Sequence, residues 1–507
     1  MYIFTDVMLL AWPVICIGFF LVTSPGRATL LSFLGSMLFL PMRTGYDLPG
    51  LPFVGKEEFA TMGVLAGLLL VAPQKLTGAR AGRGVDLVTV VLLGSAFATA
   101  LVNGDPLTWG IREGTKLRAY DGLSYIIEDL LRFGIPFLIG HALFRTRRDM
   151  RDLLTFIGVA GLVYSIVALI EMRMSPQFHD WVYGYHQSSF RNVYRLGGYR
   201  PMGFMWSGLA FSLFICTTAL AMSTLARAKL PVLPIGPLAK LAVPYQAVIL
   251  VLCRSSAAIG YGLVTLPVLW FGRSRWVMRA AVLLCALVVA YPMLRTLNLF
   301  PTDALVQLAT SFSPRRAQSL EFRFDNEDRL LAKAMQRPLL GWGASGRARV
   351  YDEEDGDDIT VSDGTWIIRL GMRGFIGWAA TFGFLLVPVW MARRSLGRLS
   401  DERDRIQLAG LALILSVYAI DLLPNALFTN FPIFIGGAVC GISKSIARTK
   451  PARADRWRRR GGSAPASRPR DRTERLFAGD YTPGDPAPRR PRTTSTLTGG
   501  GYSDMLR

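Results

Sequence analysis

The chain has 507 residues, of which 51% are hydrophobic and 18% charged, and its mean hydropathy is +0.33. Soluble domains carry about 25% charge, whereas apolar runs of about 16–22 residues recur here, each long enough to cross a bilayer. A water-soluble enzyme, a secreted disulfide scaffold and a DNA-binding protein are excluded, and the lack of alternating segments of about ten residues excludes a membrane β-barrel.

What remains is an all-α, polytopic integral membrane protein. The net charge of +21 comes from 57 Lys and Arg against 36 Asp and Glu. Residues 448–507 hold 15 Lys and Arg against 6 Asp and Glu, and most of the remaining excess lies in short loops between apolar runs. That is the positive-inside pattern of a membrane protein, so no nucleic-acid partner is expected.

Spans and sides follow from apolar length and from Lys/Arg bias. Span one is placed at 7–23, span two at 27–42 and span three at 59–73. Lys75, Arg80 and Arg83 mark the next loop as cytoplasmic. Span four at 86–102 leads to an outer loop, 103–128, then to span five at 129–144. Arg145, Arg147, Arg148 and Arg151 face inside before span six at 153–172. An aromatic-rich outer loop, 173–202, precedes span seven at 203–225. Spans eight and nine, 238–253 and 255–271, are separated by Arg254-Ser255-Ser256. Span ten covers 277–294 and span eleven 366–391, with a large outer loop, 295–364, between them. Spans twelve and thirteen, 406–423 and 431–447, form a hairpin around Asn425–Asn430.

The expected organisation is therefore a helical membrane domain over 1–447 with thirteen spans, or twelve if a short one is re-entrant. Spans two and eight are the short ones, where a re-entrant or broken helix would fall. The N-terminus lies outside, and no basic segment or small-residue cleavage site marks a cleavable signal peptide. Residues 448–507, rich in Arg, Pro, Gly and Ser, are read as a disordered cytoplasmic tail. Its run Arg456-Trp457-Arg458-Arg459-Arg460 is read as an anchor at anionic lipid or a partner-binding segment. The five cysteines, Cys16, Cys216, Cys253, Cys285 and Cys440, lie far apart in apolar runs and are read as buried free thiols.

Within 295–364, Leu320, Phe324, Leu331 and Met335 recur at helical spacing and Pro338 ends the run. An amphipathic helix near the outer membrane surface is predicted. Arg323 and Glu327 share one face, as a surface ion pair or as site residues. Gly341-Trp342-Gly343-Ala-Ser-Gly346 matches a dinucleotide fingerprint by letter, but a helix rather than a strand precedes it, so a tight glycine turn is expected. The acidic run 352–358 breaks calcium-loop spacing and is read as a solvated loop or a loose divalent site. Asp363, at the entrance of span eleven, is a general base or a helix N-cap.

Arginines also crowd the outer side. Arg191, Arg195 and Arg200 stand just before span seven among Gly197, Gly198 and Pro201. Arg254 sits at a hairpin tip near hydrocarbon, where charge marks function. Arg195, Arg200, Arg254 and Arg323 suit one phosphate or pyrophosphate group on a lipid, because guanidinium grips phosphate oxygens bidentately and stays charged. His141, His179 and His186 offer no metal triad, so a metal-independent site without cofactor is expected.

Five segments in order carry a family resemblance. They are Arg-Leu-Gly-Gly-Tyr-Arg-Pro before span seven, Arg-Ser-Ser at 254–256, and Ser-Leu-x-x-Arg-x-x-Asn-Glu at 319–327. Arg-Pro-x-x-Gly-Trp-Gly at 337–343 and Ser-Asp-Gly-Thr-Trp at 362–366 complete the series. Over roughly residues 190–390 the chain resembles the O-antigen ligase/polymerase superfamily of bacterial inner-membrane glycosyltransferases, most of all its polymerase-like members linked to exopolysaccharide.

The resemblance implies a glycan repeat on undecaprenyl pyrophosphate, handed to an acceptor sugar on the periplasmic face. A flippase and a chain-length regulator are the partners it implies. Arg195 or Arg200, with Arg323, would hold the pyrophosphate. Ligase members carry a histidine near the position of Asp363, and its absence here weakens the ligase reading. Bottom-up chemistry assigns Asp363, then Glu327, to accept the acceptor proton, with Arg195, Arg200, Arg254 and Arg323 stabilising the leaving charge. A lipid-linked oligosaccharide flippase and a non-catalytic chain-length regulator are the alternatives.

Overall fold

The computed structural model describes residues 3–76, 83–109, 112–188, 193–195, 197–231, 241–344 and 346–448. The side chains of residues 83–85, 112, 315 and 316 are not part of the description. The predicted tail after 448, the loop residue Arg80, Arg191 and the start of span eight at 238–240 lie outside the described residues.

The described chain is mostly helix, with very little strand. In order it runs α1 (Ile3–Val22), α2 (Pro25–Phe39), α3 (Lys56–Val71), α4 (Arg83–Val102), α5 (Ala119–Asp129) and α6 (Ile135–Leu143). Then come α7 (Arg147–Met174), α8 (Phe178–Tyr183), α9 (Gly208–Arg227), α10 (Ala242–Leu252), α11 (Ser256–Phe271) and α12 (Ser274–Thr296). The last five are α13 (Thr302–Phe312), α14 (Pro314–Met335), α15 (Thr365–Leu396), α16 (Glu402–Asp421) and α17 (Asn430–Arg448). Short antiparallel hairpins join some of them: β1 (Gly45–Tyr46) with β2 (Val54–Gly55), β3 (Leu107–Trp109) with β4 (Arg112–Gly114), and β5 (Tyr194–Arg195) with β6 (Gly198–Tyr199).

Among the described residues six helices, α1, α7, α9, α12, α15 and α17, are long and apolar enough to cross a membrane. Burial sorts them. Inside the protein lies 83% of the apolar stretch of α9 and of α17, against 28% for α1 and α12. The apolar side chains left outward on α1 and α12, such as Leu10, Val14, Leu283 and Leu287, suit a lipid solvent.

Lipid tails are as apolar as leucine, so close backbone approach must hold such helices together. Glycines provide it where α6 meets α17. A Cβ on Gly437 would stand 2.0 Å from the carbonyl oxygen of Phe137, and one on Gly140 2.3 Å from that of Phe434. Gly437 and Gly441 give α17 a small-xxx-small ridge against α6.

Several expectations are corrected. The outer loop 103–128 is not all loop, because α5 begins at Ala119 and runs through a π-turn, Leu130–Gly134, into α6. Loop 295–364 contains two helices, not one. Among the described residues α15 is interrupted at Gly374, which has φ 62°. Backbone groups freed there find new partners: Phe375 and Ile376 N–H donate to the carbonyls of Pro338 and Leu339, at 2.7 and 3.3 Å. Trp342 and Gly343 N–H donate to Gly371 and Met372 carbonyls, at 2.8 and 2.9 Å. That exchange explains the glycine turn at 341–343: a Cβ on Gly341 would lie 2.6 Å from the backbone nitrogens of Arg373 and Gly374.

Candidate functional site

A cleft of about 290 Å³ opens where the ends of α12 and α16, the middle of α14 and the start of α15 come together. Its wall is apolar and aromatic, with Tyr261, Tyr291, Phe300 and Phe322, and its polar end carries Arg323, Asn326, Glu327 and Asp363. The amphipathic pattern of α14 explains this. Its apolar residues Leu330, Leu331 and Ala334 are buried. These residues pack inward against the protein.

Glu327 is the enclosed carboxylate. Tyr291 Oη donates to its Oε2 at 2.7 Å, and Trp366 Nε1 to its Oε1 at 3.2 Å. Arg295 Nε lies 3.4 Å from Oε2, while its Nη2 donates to Asp328 at 2.8 Å. Burial pushes the Glu327 carboxyl above its ordinary pKa, against the pull of these donors and of Arg295. The expected Arg323–Glu327 pair on one helix face does not form, because Glu327 turns inward.

Arg323 instead faces Asp363, with Nε 3.3 Å from Oδ2 and both side chains about two-fifths exposed (40% and 42%). Asp363 is not the N-cap of α15. Gly364 takes that position. Asn326 fixes the approach: its Oδ1 accepts from Val361 N–H at 2.8 Å, and Asp363 follows two residues later. Arg323, Glu327 and Asp363 thus share one cleft.

Arg195, Arg200 and Arg254 gather elsewhere and do not line it. Arg254 holds φ 55° in the turn between α10 and α11. Its carbonyl accepts from Arg200 Nη2 at 3.1 Å, and its Nη1 reaches the Arg195 carbonyl at 3.5 Å. A Cβ on Gly198 would sit 2.2 Å from that guanidinium, so the β5–β6 glycine is what admits it. Burial, then the charge of Arg195, pulls the Arg200 pKa below its usual value. Behind this hairpin, buried Glu171 accepts from Met202 and Gly203 N–H at 2.7 and 2.8 Å, fixing the turn after Arg200.

The turn at 337–343 is clamped by Asp105 and Arg347, which the sequence alone did not single out. Asp105 takes Arg337 Nη2 at 2.7 Å and Arg347 Nη2 at 3.1 Å, and Trp342 carries cations at both Lys333 and Arg337, 3.8 and 4.0 Å from its ring centre. The Arg337 hydrogen bond leads in holding Asp105 below the usual carboxylate range. Deeper in the helices, Arg369 lies 3.7 Å from fully buried Asp129, and Arg373 stacks 3.8 Å from the Tyr125 ring centre. Arg132 pairs with Glu58 at 2.6 Å. Charge inside an apolar run was the available signal for these.

The remaining candidates take ordinary places. Four of the five cysteines are buried and all are free. His179 is buried, with Nε2 accepting from Met42 N–H at 3.1 Å, and burial lowers its pKa. In the acidic loop, Asp352 and Asp355 accept from neighbouring backbone N–H groups, and Asp358 pairs with Arg349. Among the described residues no three His, Cys, Asp or Glu side chains gather as a metal site.

The fold defines a helical protein with several helices fit to cross a membrane. The chain matches no protein-family model and no curated protein.

Proposed function

We propose that this chain is a polysaccharide polymerase of the O-antigen ligase/polymerase type in the bacterial inner membrane. In this reading thirteen spans cross the bilayer and the segment 295–364 faces the periplasm. The donor is a glycan repeat on undecaprenyl pyrophosphate, and the acceptor is a sugar hydroxyl. The observation that carries it is the amphiphilic cleft in which Glu327, Arg323 and Asp363 meet an aromatic wall.

The chemistry follows from those groups. An acceptor oxygen attacks the anomeric carbon, a new glycosidic bond forms, and the bond from that carbon to the diphosphate oxygen breaks. The hydroxyl proton passes to Glu327, whose raised proton affinity suits a general base. Arg323 is oriented by Asp363 and stabilises charge developing on the leaving diphosphate. The cluster of Arg195, Arg200 and Arg254 holds the lipid-borne diphosphate before transfer.

Purified protein in vesicles, given lipid-linked repeats as sole substrate, should yield a ladder of lengthened glycans and free lipid diphosphate. Unchanged repeats from folded protein would refute the assignment. A flippase is the second reading, favoured by the buried charges Asp129 and Arg369 in the helical domain. It predicts lipid-linked repeats accumulating on the cytoplasmic side of a deletion strain, where polymerase loss leaves them outside.

A further inference from the structure

The structure contains an amphipathic helix whose apolar side is half used. α13 follows α12 after the turn Leu297–Pro301, in which Asn298 takes φ 54°. None of its residues is buried. At 100° per residue, Leu305, Val306 and Ala309 fall on one arc and are partly covered. Ala304, Leu308 and Phe312 continue that apolar arc but are exposed, Phe312 to 79%. Asp303, Gln307, Thr310 and Ser311 occupy the opposite side.

We propose that this exposed arc is a lipid-contacting surface, and that α13 lies in the interface of the bilayer crossed by α12. Continuity argues for lipid as the occupant. α12 is one of the helices long and apolar enough to cross, and its outward face is apolar up to Met293. Leu297 and Leu299, each 65% exposed, carry that surface through the turn to Leu308 and Phe312. The sequence then continues Ser313-Pro314-Arg315-Arg316, a basic pair suited to anionic headgroups. The neighbouring α14 differs, because its Leu330, Leu331 and Ala334 are buried in the protein.

This placement sets the level of the cleft. Phe322, 53% exposed, stands at its rim, so the cleft opens beside lipid headgroups rather than into bulk water. The inference rests on membrane embedding and holds whether or not the chain transfers sugar.

The test is spin labelling of the full chain in phosphatidylcholine–phosphatidylglycerol vesicles. Single cysteines replace Ala304, Leu308 and Phe312 on one side, and Asp303, Gln307 and Thr310 on the other. The chain without an added cysteine sets the background, and Leu283→Cys on α12 is the bilayer control. Labels at 304, 308 and 312 should collide severalfold more with oxygen than with a water-soluble nickel chelate, and labels at 303, 307 and 310 the reverse. Nickel-dominated collisions at all six positions, with an oxygen-dominated control, would overturn the interfacial placement alone. Dipolar broadening at 304, 308 and 312 would overturn it in favour of a second copy on this face. A nickel-dominated control would overturn membrane embedding itself.

Discussion

Tyr291 donates its hydroxyl to Glu327 across 2.7 Å, tying the last turns of α12 to the middle of α14. The same phenol packs edge-on to Trp366, 5.3 Å between ring centres, and Trp366 donates to the other carboxylate oxygen. Three helices distant in sequence therefore orient one carboxylate.

Glu327→Gln keeps the shape and removes the base. We expect transfer to fall about a hundredfold, within the range of general-base loss, with the protein still in the membrane. Initial rates on lipid-linked repeats measure this. Near-normal rates would move the base elsewhere, with Asp363 next.

The pH profile carries the sign. Transfer needs ionised Glu327, so the rate declines as pH drops through its pKa. Burial raises that pKa above the ordinary glutamate value of about 4.3. Tyr291→Phe removes a donor to the carboxylate and raises it further. The acid limb of the profile should therefore move to higher pH in Tyr291→Phe, and a limb moving lower would contradict the assignment.

Arg323→Ala should cost about 3 kcal/mol in transition-state stabilisation, near a hundredfold in rate. Arg323→Lys should recover part of it, because charge survives while the planar fork is lost. Polymer length on gels, with immunoblots of membranes, separates lost chemistry from lost protein.

Gly198→Ala forces a Cβ into the Arg254 guanidinium, 2.2 Å away. If the three arginines hold the donor diphosphate, the donor KM should rise about tenfold, matching the loss of roughly 1.4 kcal/mol from a charged hydrogen bond. Gly260→Ala, which meets nothing within 4 Å, serves as the silent control. Equal KM values in the two variants would remove Arg254 from the donor site.

Gly374→Ala adds a Cβ 2.2 Å from the Leu339 carbonyl carbon, at φ 62°. Strain at such a position costs about 1–3 kcal/mol. A lowered melting temperature in detergent is expected. An unchanged melt would mean that the break in α15 relaxes without the 337–343 turn.

Much of the architecture is legible along the chain because its causes are local. Apolar length placed α7, α9, α12 and α15, and the i, i+4 pattern from Leu320 to Met335 located α14. Glu327, Arg323 and Asp363 stood out because charge was repeated next to apolar helix. What α14 buries against was not legible: an apolar stripe reads the same whether lipid or protein covers it. Asp363 read equally as cap or base, and only the structure gives the cap to Gly364 and sets Asp363 facing Arg323.

Sequence alone determined that this is a helical chain of repeated apolar runs, because run length and composition depend only on neighbours along the chain. Tertiary structure decided which charges meet. Asp105 with Arg337, Asp129 with Arg369 and Tyr291 with Glu327 join segments well separated in sequence. Such partners follow from how helices pack, and packing in lipid turns on close fits such as Gly437 against Phe137, which no local pattern encodes.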